Sequence, residues 1–203
     1  MKTGRIAVIL GLLLTSLSSR AAILSVSPDG RLSGATGVDV QGVLYDVSFV
    51  DGTCIEVFSG CDQEEDFVFR LPWTALGASI ALSQQVFIDD PALGNFDAIP
   101  GLTLGCGLDE FLCDVLTPFQ VGQFGLVEAS VYANLIGPED SLSSMAEYSD
   151  STLSPLPQRA DRDVWAVWSI APTSVPEPGS LALLGVGLIA AVIGRRKKRA
   201  TQC

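Results

Sequence analysis

The chain has 203 residues, with 23 Asp and Glu against 12 Lys and Arg, no histidine and a formal charge of −11. Residues 22–174 hold 22 of the acids against four cations (Arg31, Arg70, Arg159, Arg162) and no lysine, a formal charge of −18. A body without imidazole or lysine amine excludes Ser-His-Asp and Cys-His nucleophiles, Ser-Lys dyads and Schiff-base chemistry, and the usual zinc sites want His or closely spaced Cys. Such a surface repels phosphate, so nucleic acid is not a partner. Carboxylate chemistry, calcium binding or no chemistry remain.

At the N-terminus, Lys2 and Arg5 form a basic lead into an apolar stretch from Ile6 to Leu17. Ser19-Arg20-Ala21 then places small residues at the two positions that signal peptidase reads, so residues 1–21 are expected to be a removable secretory signal, with Ala22 as the alternative cleavage position. Residues 22–174 are expected to form one extracytoplasmic domain with its own core.

Residues 25–36 are rich in Ser, Gly, Pro and Asp and read as an irregular lead-in. From Val38 the pattern alternates with period two, and Asp51-Gly52 follows. The expectation is a hairpin of strands 38–50 and 53–58 closed by a type I′ turn. Phe67 to Leu71 suggests a third strand, and Pro72 suits the first position of a helix over about 73–87. Trp73, Leu76, Ile80, Ser83 and Phe87 would share its apolar face. Residues 89–108 read as loop, 109–116 as a short helix or turn, 123–133 as a strand, 139–162 as a long surface excursion and 164–170 as the last strand. Without βαβ alternation, this pattern implies an α+β fold, a mainly antiparallel sheet with one packed amphipathic helix; the alternative is a β-sandwich with an embedded helix.

Cys54 and Cys61 are seven residues apart, and so are Cys106 and Cys113. In an exported domain an even count reads as two disulfides. Of the three pairings the equal spacing favours Cys54–Cys61 and Cys106–Cys113. A metal is the rival reading, without CxxC or His to support it. The acidic loop Asp62, Glu64, Glu65 and Asp66 offers hard oxygen ligands for calcium but lacks the glycine and the bidentate glutamate of an EF-hand, and a solvated loop is the plainer reading. Asp89-Asp90 and Asp109-Glu110 are weaker cases of the same kind. Trp73, Trp165 and Trp168 stack on sugars only if exposed; otherwise they pack in the core. Trp165 and Trp168 fall on opposite faces of an ideal strand, which leaves room for one to be exposed. Two carboxylates can hydrolyse a glycoside, yet no pair among 22 acids stands out.

The C-terminal stretch is the most specific. Val175-Pro176-Glu177-Pro178 is followed by an uncharged 16-residue run, Gly179 to Gly194, and then by Arg195-Arg196-Lys197-Lys198-Arg199. As a helix the run is roughly 24 Å long, at the short end for a bilayer core of about 30 Å, and the flanking arginines can snorkel to the interface. The positive-inside rule places residues 195–203 in the cytoplasm and the domain on the other side. Prolines keep the preceding segment extended, as a protease needs.

This order of motif, apolar helix and basic end resembles the PEP-CTERM sorting signal of Gram-negative bacteria, over about residues 174–203. The resemblance implies export, recognition by an exosortase, which is an integral membrane cysteine protease cutting near Pro-Glu-Pro, and a system that makes exopolysaccharide or biofilm matrix. It implies nothing about the activity of the domain. The expectation is an exported, non-enzymatic surface or matrix protein without catalytic residues or cofactor, touching exopolysaccharide or cations. The alternatives are a secreted carboxylate-dependent polysaccharide hydrolase, and a protein whose tail remains as its membrane anchor.

Overall fold

A computed structural model describes residues 21–58, 60–122, 126–137, 140–148 and 161–172. The chain divides into two units, 1–171 and 172–203, and only Pro172 of the second is among the described residues. The first unit is built on a seven-stranded sheet. Its strands in chain order are β1 (Ile23–Val26), β2 (Leu32–Val40), β3 (Val43–Val50), β6 (Leu112–Val121), β7 (Val127–Leu135), β8 (Ser141–Tyr148) and β9 (Asp163–Ile170). Two short strands, β4 (Asp89–Asp90) and β5 (Gly94–Asn95), pair with each other in the loop between. The two helices are α1 (Cys54–Val57) and α2 (Pro72–Gln85).

The sheet order is β1-β2-β3-β9-β6-β7-β8. Two antiparallel meanders flank β9, which is antiparallel to β3 and parallel to β6. The fold is therefore mostly antiparallel with one packed helix, as the sequence pattern implies, except for this one parallel pairing. Pro118 is tolerated in interior strand β6 because the pairing with β9 ends at Leu116, and a bulge against β7 follows between Pro118 and Gln120.

Both faces of the sheet are covered. On one face lie Ala35, Val47, Phe49, Val115, Tyr132 and Trp168, packed under α2. On the other, Leu116, Val127, Ala129, Val131 and Trp165 meet α1, Phe67 and the Cys54–Cys61 pair. Successive strand residues alternate between these two cores, so β9 buries Trp165 and Trp168 on opposite sides, at 2% and 5% exposure. Neither is open to solvent, contrary to the expectation that one is. The indole N–H groups are satisfied inside: Trp165 Nε1 donates to Gly52 O at 2.9 Å and Trp168 Nε1 to Thr117 Oγ1 at 3.2 Å.

Several expectations are corrected. Residues 25–36 are not irregular: β1 and the start of β2 lie there. The hairpin turns at Gln41-Gly42, with φ of 54° and 89°, the two positive values of a type I′ turn. Asp51-Gly52 is instead the corner where the chain leaves the sheet. Residues 53–58 are not a strand but α1, opened by a capping box in which Glu56 N donates to Thr53 Oγ1 and Thr53 N to Glu56 Oε2. Residues 67–71 form no ladder, although Phe67 and Phe69 are buried in the two different cores. Residues 109–116 form no helix, and β6 begins there. Residues 139–162 contain β8, a paired strand. Within the expected strand 123–133, residues 123–125 lie outside the described residues and β7 starts at Val127.

The α2 helix exists, but its buried face is Ala75, Ala78, Ser79, Ala81 and Leu82. Trp73 is 61% exposed and Ile80 36%. Small side chains bring the helix backbone close to the sheet, and the larger residues are turned outward. Phe87, past the helix end, fills the space between Phe49 and Tyr132, with ring centroids at 5.5 and 4.8 Å. Gln85 clips the end of the helix to β2 by accepting from Asp39 N and donating to Asp39 O.

Candidate functional site

Val175, Pro176, Glu177, Pro178 and the basic end Arg195, Arg196, Lys197, Lys198, Arg199 lie outside the described residues, as does the expected membrane span 179–194. No helix among the described residues is long and apolar enough to cross a membrane.

Both local cysteine pairs are brought together. Cys54 and Cys61 have Cα atoms 5.8 Å apart and Cys106 and Cys113 5.9 Å apart, each pair at bonding distance. The first staples the α1 corner to the loop after it; the second ties the entry of β6 to the loop before it.

The calcium candidates Asp62, Glu64 and Glu65 are exposed. Asp66 turns back to accept from the backbone N–H groups of Asp62 and Gln63, at 3.1 and 3.3 Å. This closes the loop through its own carboxylate. Among the described residues no three His, Cys, Asp or Glu side chains gather as a metal set.

A different acidic constellation sits at the other side of the chain, where β7, the β7–β8 connection and the loop before β6 meet. Asp140 accepts from the Tyr132 hydroxyl at 2.5 Å and from Leu135 N at 2.9 Å. Asp97 hydrogen-bonds Asp140, and Asp89 accepts from the backbone N–H groups of Asp97 and Ala98. Burial, then Asp140 and then Asp89, hold the Asp97 carboxyl above its usual range. Burial and the same carboxylates push the Tyr132 phenol far up, so it stays a donor. Nothing local in the sequence links Asp97 to Asp140, since the contact is made by the β6–β7 pairing and the loop packed on it.

The remaining feature is an open groove of about 380 Å³ at the end of the sheet where β3 begins and β9 ends. Val43 and Tyr45 of β3 form its floor, and Val68, Arg70, Leu71 and Thr74 form a wall. Gln41 reaches from the hairpin turn to Gly77 of α2; a Cβ on Gly77 would lie 2.6 Å from its amide nitrogen. Gly77 lies four residues after Trp73 and three after Thr74, so all three share a helix stripe, and Trp73 stands at the groove rim. Ile170 pairs with Tyr45 beside it and is 68% exposed.

The arginines divide by role. Arg31 donates through Nη2 to the carbonyls of Gly101, Thr103 and Cys106. Arg162 pairs with Glu110 at 2.6 Å and stacks over the Phe111 ring. Arg70 is exposed and pairs with no acid among the described residues.

No curated protein and no solved structure matches the chain. Residues 174–199 match the model of the PEP-CTERM protein-sorting motif, and this tail marks an exported protein sorted to the cell envelope in dependence on an exosortase-type enzyme.

Proposed function

We propose that the chain is a non-enzymatic surface or extracellular-matrix protein of an exopolysaccharide-associated system. Signal peptidase removes residues 1–21, the helix over 179–194 holds the domain at the outer face of the inner membrane, and exosortase cleavage near Val175–Pro178 then releases it. The observation that carries this reading is the sorting motif at 174–199. The two cysteine pairs at bonding distance support it, because disulfides belong to oxidising compartments.

The hydrolase alternative draws less support. The groove at the end of the sheet has no carboxylate in its lining, and a neighbouring one beneath Phe58 and Trp168 has only Asp66. Asp97 and Asp140 touch one another, whereas glycosidase carboxyls stand about 5–9.5 Å apart to admit a sugar and water.

The test is the intact mass of the protein recovered from cells with and without the exosortase. A mass ending near residues 175–178 in the first and at Cys203 in the second is expected. A mass that retains Cys203 in both overturns processing and leaves a permanently anchored protein.

A further inference from the structure

The chain leaves the sheet at Ile170, at the end that carries the groove. Eight residues, Ala171 to Pro178, separate Ile170 from the start of the apolar run at Gly179. Fully extended they reach at most about 29 Å. A domain of this size has a radius of gyration of about 15 Å, and hence a diameter near 38 Å. A tether shorter than the domain is wide keeps the end from which it emerges turned toward the membrane.

That end is dressed for an interface. Val43 (46%), Val68 (43%), Leu71 (43%), Trp73 (61%) and Ile170 (68%) are all partly open. Strand alternation puts Val43, Tyr45 and Ile170 on the α2 side of the sheet, and the groove joins them to Val68 and Leu71. Tryptophan is the residue that favours the headgroup region, where its ring is half in apolar surroundings and its N–H is wet. Arg70, the exposed cation of a domain with formal charge −18, stands in the wall of this groove. In so acidic a domain a free guanidinium at the tethered end complements anionic headgroups, each such charge being worth about a fivefold gain in membrane contact.

We propose that Val43, Val68, Leu71, Trp73 and Ile170, with Arg70, form a lipid-contact surface that seats the domain on the outer face of the bilayer its own tail crosses. Seating holds the Pro-Glu-Pro segment at a constant height above the membrane until it is cut. The proposal rests on the reading of 179–194 as a membrane span, and goes beyond it in giving the domain a fixed orientation.

The molecule supplies its own reporter. Of its three tryptophans, Trp165 and Trp168 are buried and Trp73 is open. The full chain is reconstituted into phosphatidylcholine vesicles with a minority of phosphatidylglycerol, bearing bromine on the acyl chains, and tryptophan emission is compared with that in unbrominated vesicles. Quenching of the Trp73 component is expected, together with its protection from aqueous acrylamide. Trp73→Phe removes the quenchable component, Arg70→Gln lowers the contact about fivefold, and Leu71→Ser with Ile170→Ser abolishes it. If Trp73 stays open to acrylamide and untouched by bromolipid while the chain floats with the vesicles, the seating is wrong and the surface serves a protein partner or none. Quenching that survives in the Leu71→Ser, Ile170→Ser chain also overturns it, since tethering alone then explains the proximity. A chain that fails to float with the vesicles overturns both the span and the seating.

Discussion

Trp165 of β9 donates its indole N–H to the carbonyl of Gly52, 113 residues earlier in the chain, at 2.9 Å. The bond locks the last strand to the corner at which the chain leaves β3, and it holds α1 and its disulfide over the second face of the sheet. Trp165→Phe leaves this carbonyl unpaired and removes ring volume from a side chain that is 2% exposed. We expect a loss of about 2 kcal/mol, read from the urea midpoint at unchanged m-value. A cost below a few tenths would mean that the corner is held by the disulfide alone.

Gly34 of β2 lies opposite Ser48, at φ 152°, and a Cβ there would come 2.1 Å from the Val47 carbonyl oxygen. Backbone cannot yield as a side chain can. Gly34→Ala is expected to cost about 2 kcal/mol or more, whereas Gly137→Ala, with nothing within 4 Å but φ 101°, carries only backbone strain. Comparing their thermal midpoints separates collision from strain.

Each disulfide closes a loop of about eight residues, and chain entropy assigns it about 2.5 kcal/mol. Cys54→Ala with Cys61→Ala, and Cys106→Ala with Cys113→Ala, are expected to lower stability by comparable amounts and additively, since they anchor different ends of the sheet. Reduction of the wild-type chain should reproduce the sum. An unchanged denaturation curve under reductant would show that the bonds do not form in the cell.

Asp97 and Glu56 predict opposite responses to pH. Asp97 is raised in the folded state by burial, then by Asp140 and Asp89. Its contribution is complete below the unfolded carboxyl pKa and is lost as pH rises through the folded one. Glu56 is lowered by the Thr53 hydroxyl and then by its backbone N–H, so its contribution is present above the unfolded pKa and lost as pH falls through the folded one. Asp97→Asn should therefore flatten the decline in stability from acid toward neutral pH, and Glu56→Gln the decline on acidification. Denaturation midpoints at several pH values check both, and parallel pH profiles for wild type and Asp97→Asn would refute the first.

Much of the local structure was legible in residue patterns. Pro72 opens α2, the alternation at 164–170 is β9, and two equal cysteine spacings identify the two pairs. The capping box Thr53-Cys54-Ile55-Glu56 was equally visible, but the Asp-Gly before it suggested a hairpin and took precedence. Gln41-Gly42 carried a weaker turn signal, because glutamine is not among the residues that readily take positive φ. For α2 the three-and-four spacing of large apolar residues pointed to the wrong face. The sheet accepted the Ala and Ser stripe because small side chains allow closer approach, and that preference belongs to the partner surface, not to the helix.

The sequence by itself determined export, disulfide pairing and the sorting tail. These depend on short contiguous segments that signal peptidase, neighbouring thiols and an exosortase-type enzyme read directly. Only the tertiary structure decided that β9 inserts between two meanders, that both Trp165 and Trp168 are buried, that Asp97 meets Asp140, and that Trp73 and Arg70 gather where the chain departs for its tail. Each of these is a meeting of residues far apart along the chain. Strand periodicity assigns a side chain to a face, but whether that face is covered depends on what the rest of the chain packs against it.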